Sequence, residues 1–258
     1  LGKEFENKTI FITGAAKGQG RGVALAFAKE AGNVIAFNRG DIQKLEVLKK
    51  QIEEIGGKIE IFSGDVTNSK DIKSAIEMGI ERFGRIDILF NNAGICRYGL
   101  SHELTEDEWD LTMDINLKGA WLTSKYVIPY FIKQKSGVII NNSSIAGLEG
   151  MRKLSHYSAS KFGMVGLTKS QAIELAPYNI RVVSIHPAGV NTPMKLDMAE
   201  QEGTTLEEIA NSKVNLLDVP WVEVEDIVNM VMFLASDKAR YITGSQFTID
   251  AGRVSKQI

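Results

Sequence analysis

Short apolar runs alternate with helix-patterned segments along this chain, and that rhythm limits the fold more than any other feature. The apolar runs are five or six residues long: Lys8–Thr13, Asn33–Phe37, Lys58–Phe62, Ile86–Phe90, Gly137–Asn142, Ile180–Ile185 and Ser245–Ile249. Near-continuous apolar runs between turn residues are the mark of strands buried on both faces. Between them, apolar residues recur at helical spacing over Arg21–Ala31, Asp41–Ile55, Ser69–Phe83, Glu106–Leu117, Ala120–Gln134, a helix around Tyr157 running to about Ala176, and Glu225–Ala235. Strand–helix repetition of this kind predicts right-handed crossovers and an α/β, doubly wound parallel sheet of about seven strands, with helices on both faces. With no internal repeat, low-complexity tract or linker, residues 1–258 read as one domain. Residues 195–220 are polar, Met-containing and weakly patterned, and are expected to form a mobile flap over a substrate.

Composition narrows the function. A formal net charge of −2 argues against nucleic acid or an anionic membrane as a partner, and no apolar run approaches the roughly 20 residues of a membrane helix. The single cysteine, Cys96, forms no internal disulfide and no multi-cysteine metal site, which fits a reducing cytoplasm. Leu1-Gly2-Lys3 does not read as a signal peptide, and no metal ligation is expected.

The unusual residues fall just beyond the carboxyl ends of the strands, where open α/β sheets bind ligands. After the first strand, Gly14-Ala15-Ala16-Lys17-Gly18-Gln19-Gly20 opens a helix. Glycines let backbone amides approach a pyrophosphate, and a helix N-terminus favours negative charge. Farther on, Ser155-His156-Tyr157-Ser158-Ala159-Ser160-Lys161 places a phenol and an ammonium four residues apart, on one helix face. That pair is a candidate general acid/base, since a nearby cation favours the phenolate.

Thr13 to Gly20, Asn91-Asn92-Ala93-Gly94, Asn116, Ser144 and Tyr157-x3-Lys161 together resemble the short-chain dehydrogenase/reductase family, and the likeness extends to Ile242-Thr243-Gly244 and Asp250-Ala251-Gly252. Gly18-Gln19-Gly20 and His186 to Met194 resemble most its carveol-dehydrogenase-type branch. The resemblance implies a Rossmann-type fold and hydride transfer between a nicotinamide cofactor and a secondary alcohol or ketone, with an alicyclic substrate such as a terpenoid or steroid. It implies that Tyr157 is the acid/base and that Ser144 holds the substrate oxygen. Lys161 would lower the phenol pKa and hold a cofactor ribose, and Asn116 would hold a relay water. For the cofactor it implies Gly14, Lys17, Gly18, Gln19 and Gly20 around the pyrophosphate and adenosine ribose. Asp65 and Val66 would flank adenine, Asn92 and Gly94 would lie along the ribose side, and Val190 and Thr192 would meet the carboxamide. Two departures stand out: Pro187-Ala188 replaces the usual Pro-Gly, and a cofactor-trapping insertion after strand two is missing, so the cofactor is expected to exchange.

At the end of strand two, where NAD-preferring relatives carry an acid, stand neutral Asn38 and then Arg39, whose guanidinium forks onto a phosphate; with Lys17 they point to NADP, with NAD as the alternative. A 3-oxoacyl thioester reductase is the competing enzyme reading, and a nucleotide-sensing protein without turnover the competing non-enzyme reading. A homotetramer is expected from the resemblance and from apolar Trp121, Leu122, Val127, Ile128, Met164, Val165 and Leu167. Cys96 reads as a pocket-wall thiol, His102 and His186 as structural or exposed. Arg152, Lys153 and His156 stand close enough to Tyr157 to meet an anionic substrate tail.

Overall fold

The computed structural model describes residues 3–40, 42–211 and 214–255. Seven parallel strands form one sheet: β1 (Thr9–Thr13), β2 (Asn33–Asn38), β3 (Lys58–Ser63), β4 (Ile88–Asn91), β5 (Gly137–Asn142), β6 (Ile180–Pro187) and β7 (Gln246–Ile249). Their spatial order is β3-β2-β1-β4-β5-β6-β7, so the order reverses between β1 and β4 and opens a crevice at the strand ends there. Nine α-helices among the described residues connect and cover the strands: α1 (Gly18–Lys29), α2 (Ile42–Glu54), α3 (Ser69–Phe83), α4 (Glu106–Met113), α5 (Gly119–Gln134), α6 (Ser155–Leu175), α7 (Pro193–Glu202), α8 (Leu206–Asn211) and α9 (Val224–Ala235).

Alternation along the strands divides the core in two. Ile10, Ile12, Val34, Ala36, Val183 and Ile185 face one way, onto Val23 and Phe27 of α1 and Ile227 and Val231 of α9. Phe11, Ile35, Leu89, Ile139 and Val182 face the other, onto Ile72 and Ile76 of α3 and Val127 and Phe131 of α5. All five residues of β1 are buried, as the period-2 side-chain pattern requires of a strand covered on both faces. Local chemistry sets several helix starts. Asn68 caps α3 by accepting from the Lys70 amide, and Thr105 and Glu108 form a reciprocal capping box ahead of the acidic first turn of α4. Asp41, where the second helix is expected to begin, lies outside the described residues.

Several boundaries differ from the sequence reading. The helix expected from Arg21 starts at Gly18, because the glycine turn closes directly into it. The two helices expected at Glu106–Leu117 and Ala120–Gln134 form one continuous rod, widened over Asp114–Lys118 into a π-turn in which the Gly119 amide reaches back five residues to the Asp114 carbonyl. The weakly patterned stretch from residue 195 contains α7 and α8; Pro193 begins α7, where its fixed φ and missing N–H suit the first turn. Of the apolar residues expected to face outward from α5 and α6, Leu122, Val127 and Met164 are buried, whereas Trp121 is exposed. The reason is that these helices pack on the sheet through the same stripe that reads as surplus in the sequence.

Candidate active site

One cavity of about 630 Å³ runs along the carboxyl ends of the strands, from Arg39 and Asp65 past Gly14 and Gly94 to Tyr157, and on to Lys195 and Arg253. At the turn after β1, Gly14 has φ +69°, and a Cβ on Gly20 would stand 2.4 Å from the Gly14 carbonyl oxygen. The backbone is therefore folded too closely there for any side chain. Lys17 is the N-cap of α1 and makes no side-chain cap, so the first amides of α1 are left for a ligand. A dinucleotide's pyrophosphate fits such a cradle. Asn92 secures it: its amide donates to the carbonyls of Thr13 and Gly14 at 3.1 Å each, and its Oδ1 accepts from Asn142, which also donates to Gln19 Oε1 at 2.8 Å. The Asn92 side chain is thus occupied in holding the turn, a tighter role than the ribose contact expected of it.

The reacting end is built from β5, α6 and the π-turn. Lys161 is 4% exposed, and its ammonium donates to the Asn142 carbonyl at 2.8 Å, leaving two N–H groups for a ligand. Burial pushes its pKa down to about 8. Tyr157 lies one turn earlier on α6, with the Lys161 ammonium 5.5 Å from the ring centroid. Burial raises the Tyr157 phenol well above its ordinary range, and the hydrogen bond with Ser144 only partly opposes this. The net direction is thus upward, set by burial, whatever the Lys161 charge contributes. Desolvation disfavours the charged phenolate.

Ser144 stands just past β5 in extended conformation, and its oxygen accepts the Ala146 amide at 3.1 Å. The hydroxyl proton is then free to point at Tyr157. Asn116, in the π-turn, accepts from the Ile95 amide at 2.8 Å and donates to the Ile95 carbonyl at 2.9 Å and to Ser160 Oγ at 3.2 Å. Both its amide hydrogens go to protein, so its direct effect is to fix the wall after β4 and the start of α6. A widened turn at a functional site is a recurring use of π geometry.

The other residues named from sequence divide clearly. Lys17, Gly18, Asn38, Arg39, Asp65, Val66, Asn92, Gly94, Val190 and Thr192 all line the cavity. Arg39 is 62% exposed and pairs with Asp65 at 3.3 Å. Burial works against the Asp65 carboxylate, but hydrogen bonds from the Thr67 amide and hydroxyl and from Arg39 hold its pKa below the usual value. Ala188 fits where glycine is usual because its φ is not left-handed. Cys96 is a cavity-wall thiol, pushed up to about 12 by burial. Arg152, Lys153 and His156 do not line the cavity. Arg152 is exposed, Lys153 pairs with Glu202 at 3.8 Å, and His156 is buried away from the site.

Of the two alternatives read for His186, structural or exposed, the structure takes the first, and a second group of residues escapes the sequence reading. His186 is fully buried; its Nδ1 lies 2.9 Å from the Ser144 carbonyl and its Nε2 2.9 Å from Ser184 Oγ. A carbonyl only accepts, so Nδ1 carries the proton and Nε2 accepts from Ser184. Burial, joined by the Lys161 charge, lowers the imidazole pKa against the opposing Ser144 bond and keeps it neutral. Tyr98, Lys195 and Arg253 close the far end of the cavity from three separate segments, a convergence that spacing along the chain does not reveal.

A glycine turn leading into α1, a buried lysine one turn after a tyrosine, and a serine facing that tyrosine, all at the strand ends of a parallel sheet, describe a nicotinamide-dependent oxidoreductase site. The short chain dehydrogenase family model matches residues 8–203, and the chain belongs to the short-chain dehydrogenase/reductase family. Within it the chain falls in the carveol-dehydrogenase-type branch. It is 38% identical to (−)-trans-carveol dehydrogenase of Rhodococcus erythropolis over 97% of this chain and 99% of that one. It is 40% identical to a 3-oxoacyl-[acyl-carrier-protein] reductase of Thermotoga maritima, over 96% and 98%. The crystal structure of carveol dehydrogenase from Mycobacterium avium in complex with NAD superposes with a TM-score of 0.92 at 33% identity, covering 98% of this chain and all of that one. Among the described residues no helix is long and apolar enough to cross a membrane, and no group of three metal-ligating side chains occurs.

Proposed function

We propose that this protein interconverts an alicyclic secondary alcohol and its ketone, with Tyr157 as the acid/base. The observation that carries this reading is the Ser144–Tyr157–Lys161 constellation in a cavity continuous with the glycine cradle. The nicotinamide, when bound, supplies or takes the hydride. Ser144 and Tyr157 both place a donor at one point in the cavity, where a carbonyl oxygen gathers negative charge during reduction. Tyr157 then gives its proton to that oxygen; in the reverse direction it takes the alcohol proton. A phenol held high by burial is protonated at neutral pH and suited to donation. The two free N–H groups of Lys161 hold the cofactor ribose, and its charge stabilises the phenolate once the proton has left. The resemblance to carveol dehydrogenases supports the alicyclic substrate, and α7 and α8 form the flap above it.

NADP is the proposed cofactor. Asn38 has no charge to repel a 2′-phosphate, and the exposed Arg39 guanidinium offers it two hydrogen bonds, with Lys17 lining the same cavity. Asp65 already holds Arg39, so the preference should be modest, about tenfold in kcat/KM after solvent screening. Arg39→Ala is expected to abolish it and Asn38→Asp to reverse it; a wild type that prefers NAD, or a ratio untouched by Arg39→Ala, would refute the assignment.

The second reading, reduction of a 3-oxoacyl thioester, fits the 40% identity to the Thermotoga enzyme. A panel of alicyclic ketones and a 3-oxoacyl thioester, each followed by nicotinamide absorbance, separates the two. The alicyclic ketones are expected to turn over with the higher kcat/KM.

A further inference from the structure

The end of the cavity beyond Tyr157 holds a charge arrangement that the hydride chemistry does not use. Lys195 is 8% exposed, lines the cavity, and sits in the first turn of α7. A helix N-terminus is the positive end of its dipole, a poor place for an ammonium. The one compensation in contact with it is the face of Trp221, whose centroid lies 3.6 Å from Nζ. Arg253, in the turn that follows β7, lines the same cavity and adds a second positive charge that acts on Lys195.

The carboxylates nearby are already engaged. Glu223 accepts from Trp221 Nε1 at 2.9 Å and from Asn191 Nδ2 at 3.1 Å. Glu202 is shared between Lys153 and the Tyr98 hydroxyl. Among the described residues, no carboxylate lies within 4 Å of the Lys195 or Arg253 nitrogens. A desolvated lysine, a half-buried arginine and a helix N-terminus thus converge on the substrate end, and the one carboxylate charge that acts on Lys195, Glu223, does so from beyond contact distance. Burying unpaired charge is costly unless a ligand supplies the counter-charge.

We propose that the substrate carries a carboxylate, received at this end of the cavity by Lys195 and Arg253. The inference rests on the oxidoreductase reading of the same site and names the substrate class more narrowly: an alicyclic ketone or alcohol that is also a carboxylic acid. A singly charged carboxylate suits the place better than a phosphate dianion, because Glu202 stands at the same end and repels added negative charge. This is the anion recognition expected from sequence at Arg152, Lys153 and His156, moved to two residues that lie 58 positions apart and meet only in the fold.

The test compares matched probes. With 4-oxocyclohexanecarboxylate and 4-methylcyclohexanone as substrates, wild type is expected to favour the acid by tenfold or more in kcat/KM. Raising the salt should shrink that ratio, and Lys195→Met or Arg253→Gln should bring it close to one. Calorimetry with cyclohexanecarboxylate and cyclohexanecarboxamide measures the same preference without turnover, so it decides the anion site even if neither ketone is reduced. Loss of turnover with both ketones while the carboxylate still binds would refute the ketone reading and keep the anion site. A wild type that binds acid and amide alike, or a preference that survives both substitutions, would overturn the proposal. So would a loss of cofactor affinity in Lys195→Met as large as its loss for the acid, since the ammonium would then belong to the cofactor.

Discussion

Lys161 shows at the scale of one residue how this site is held against the fold's own interest. An ammonium that is 4% exposed with one protein hydrogen bond is destabilising, and burial accordingly lowers its pKa from 10.5 to about 8. A lysine whose native pKa is depressed binds fewer protons in the folded state than in the unfolded one between about pH 8 and 10.5. Stability from this group therefore rises with pH across that window and is lowest below it. The shift corresponds to on the order of 3 kcal/mol. Lys161→Met is thus expected to raise Tm at pH 7, to remove the pH 8–10.5 slope in chemical denaturation, and to abolish turnover; a variant less stable than wild type at pH 7 would show that the charge is stabilised, not tolerated. The same residue bears on the pH profile of activity. The proposed ketone reduction calls for a protonated Tyr157 beside a charged Lys161, so its kcat/KM should fall as pH rises through about 8. The Tyr157–Lys161 pair can be read from its helical spacing, and Ser144 and Asn116 from the family resemblance; the structure puts Ser144 beside Tyr157 and Asn116 in the π-turn. The sign of the phenol shift cannot be read in either way, because it depends on how much water the folded cavity excludes.

Among the elements, β6 does more than complete the sheet. It carries Ser184 and His186 on consecutive inward positions, and His186 in turn holds the Ser144 carbonyl beyond the neighbouring strand β5. His186 is a positioning residue: it touches Ser144's backbone and leaves the hydroxyl to Tyr157. His186→Leu removes one of two donors to that carbonyl, leaving the Gly147 amide at 2.9 Å, and is expected to lower kcat about tenfold, with KM for the cofactor little changed. His186→Asn can still donate to the carbonyl and should restore most of the loss. Ser144→Ala should cost about a hundredfold in kcat, as for removal of one donor to a developing oxyanion. Equal losses in the Leu and Asn variants would mean that volume, not the hydrogen bond, is what His186 supplies. The strand itself is plain from Ile180–Ile185, yet nothing in the chain's spacing links a histidine to a serine 42 residues earlier. The same holds for α7 and α8: their helical periodicity is weak because they cover a cavity and have no core stripe to bury.

The whole molecule presents a surface on α5 and α6 that one chain leaves uncovered, with Trp121 43%, Phe162 47% and Ile173 78% exposed. Large apolar side chains left exposed on these two helices are what an association surface requires. A tetramer is the expected state, and Trp121→Glu with Phe162→Glu should lower the mass measured by light scattering; a monomeric wild type at micromolar concentration would contradict it. The parallel sheet is open to reading from the seven apolar runs, since both core faces are built from the alternate residues of those runs. What the chain does not disclose is the far end of the cavity, where α7 and the turn after β7 bring Lys195 and Arg253 together. The proposed function turns on Tyr157 as the group that moves the substrate proton. The most direct measurement is the single-turnover rate of ketone reduction in Tyr157→Phe against wild type, with cofactor affinity measured on the same samples. A loss of a hundredfold or more in rate is expected, with the cofactor dissociation constant within about threefold; a variant that keeps more than about a tenth of the wild-type rate would contradict that role.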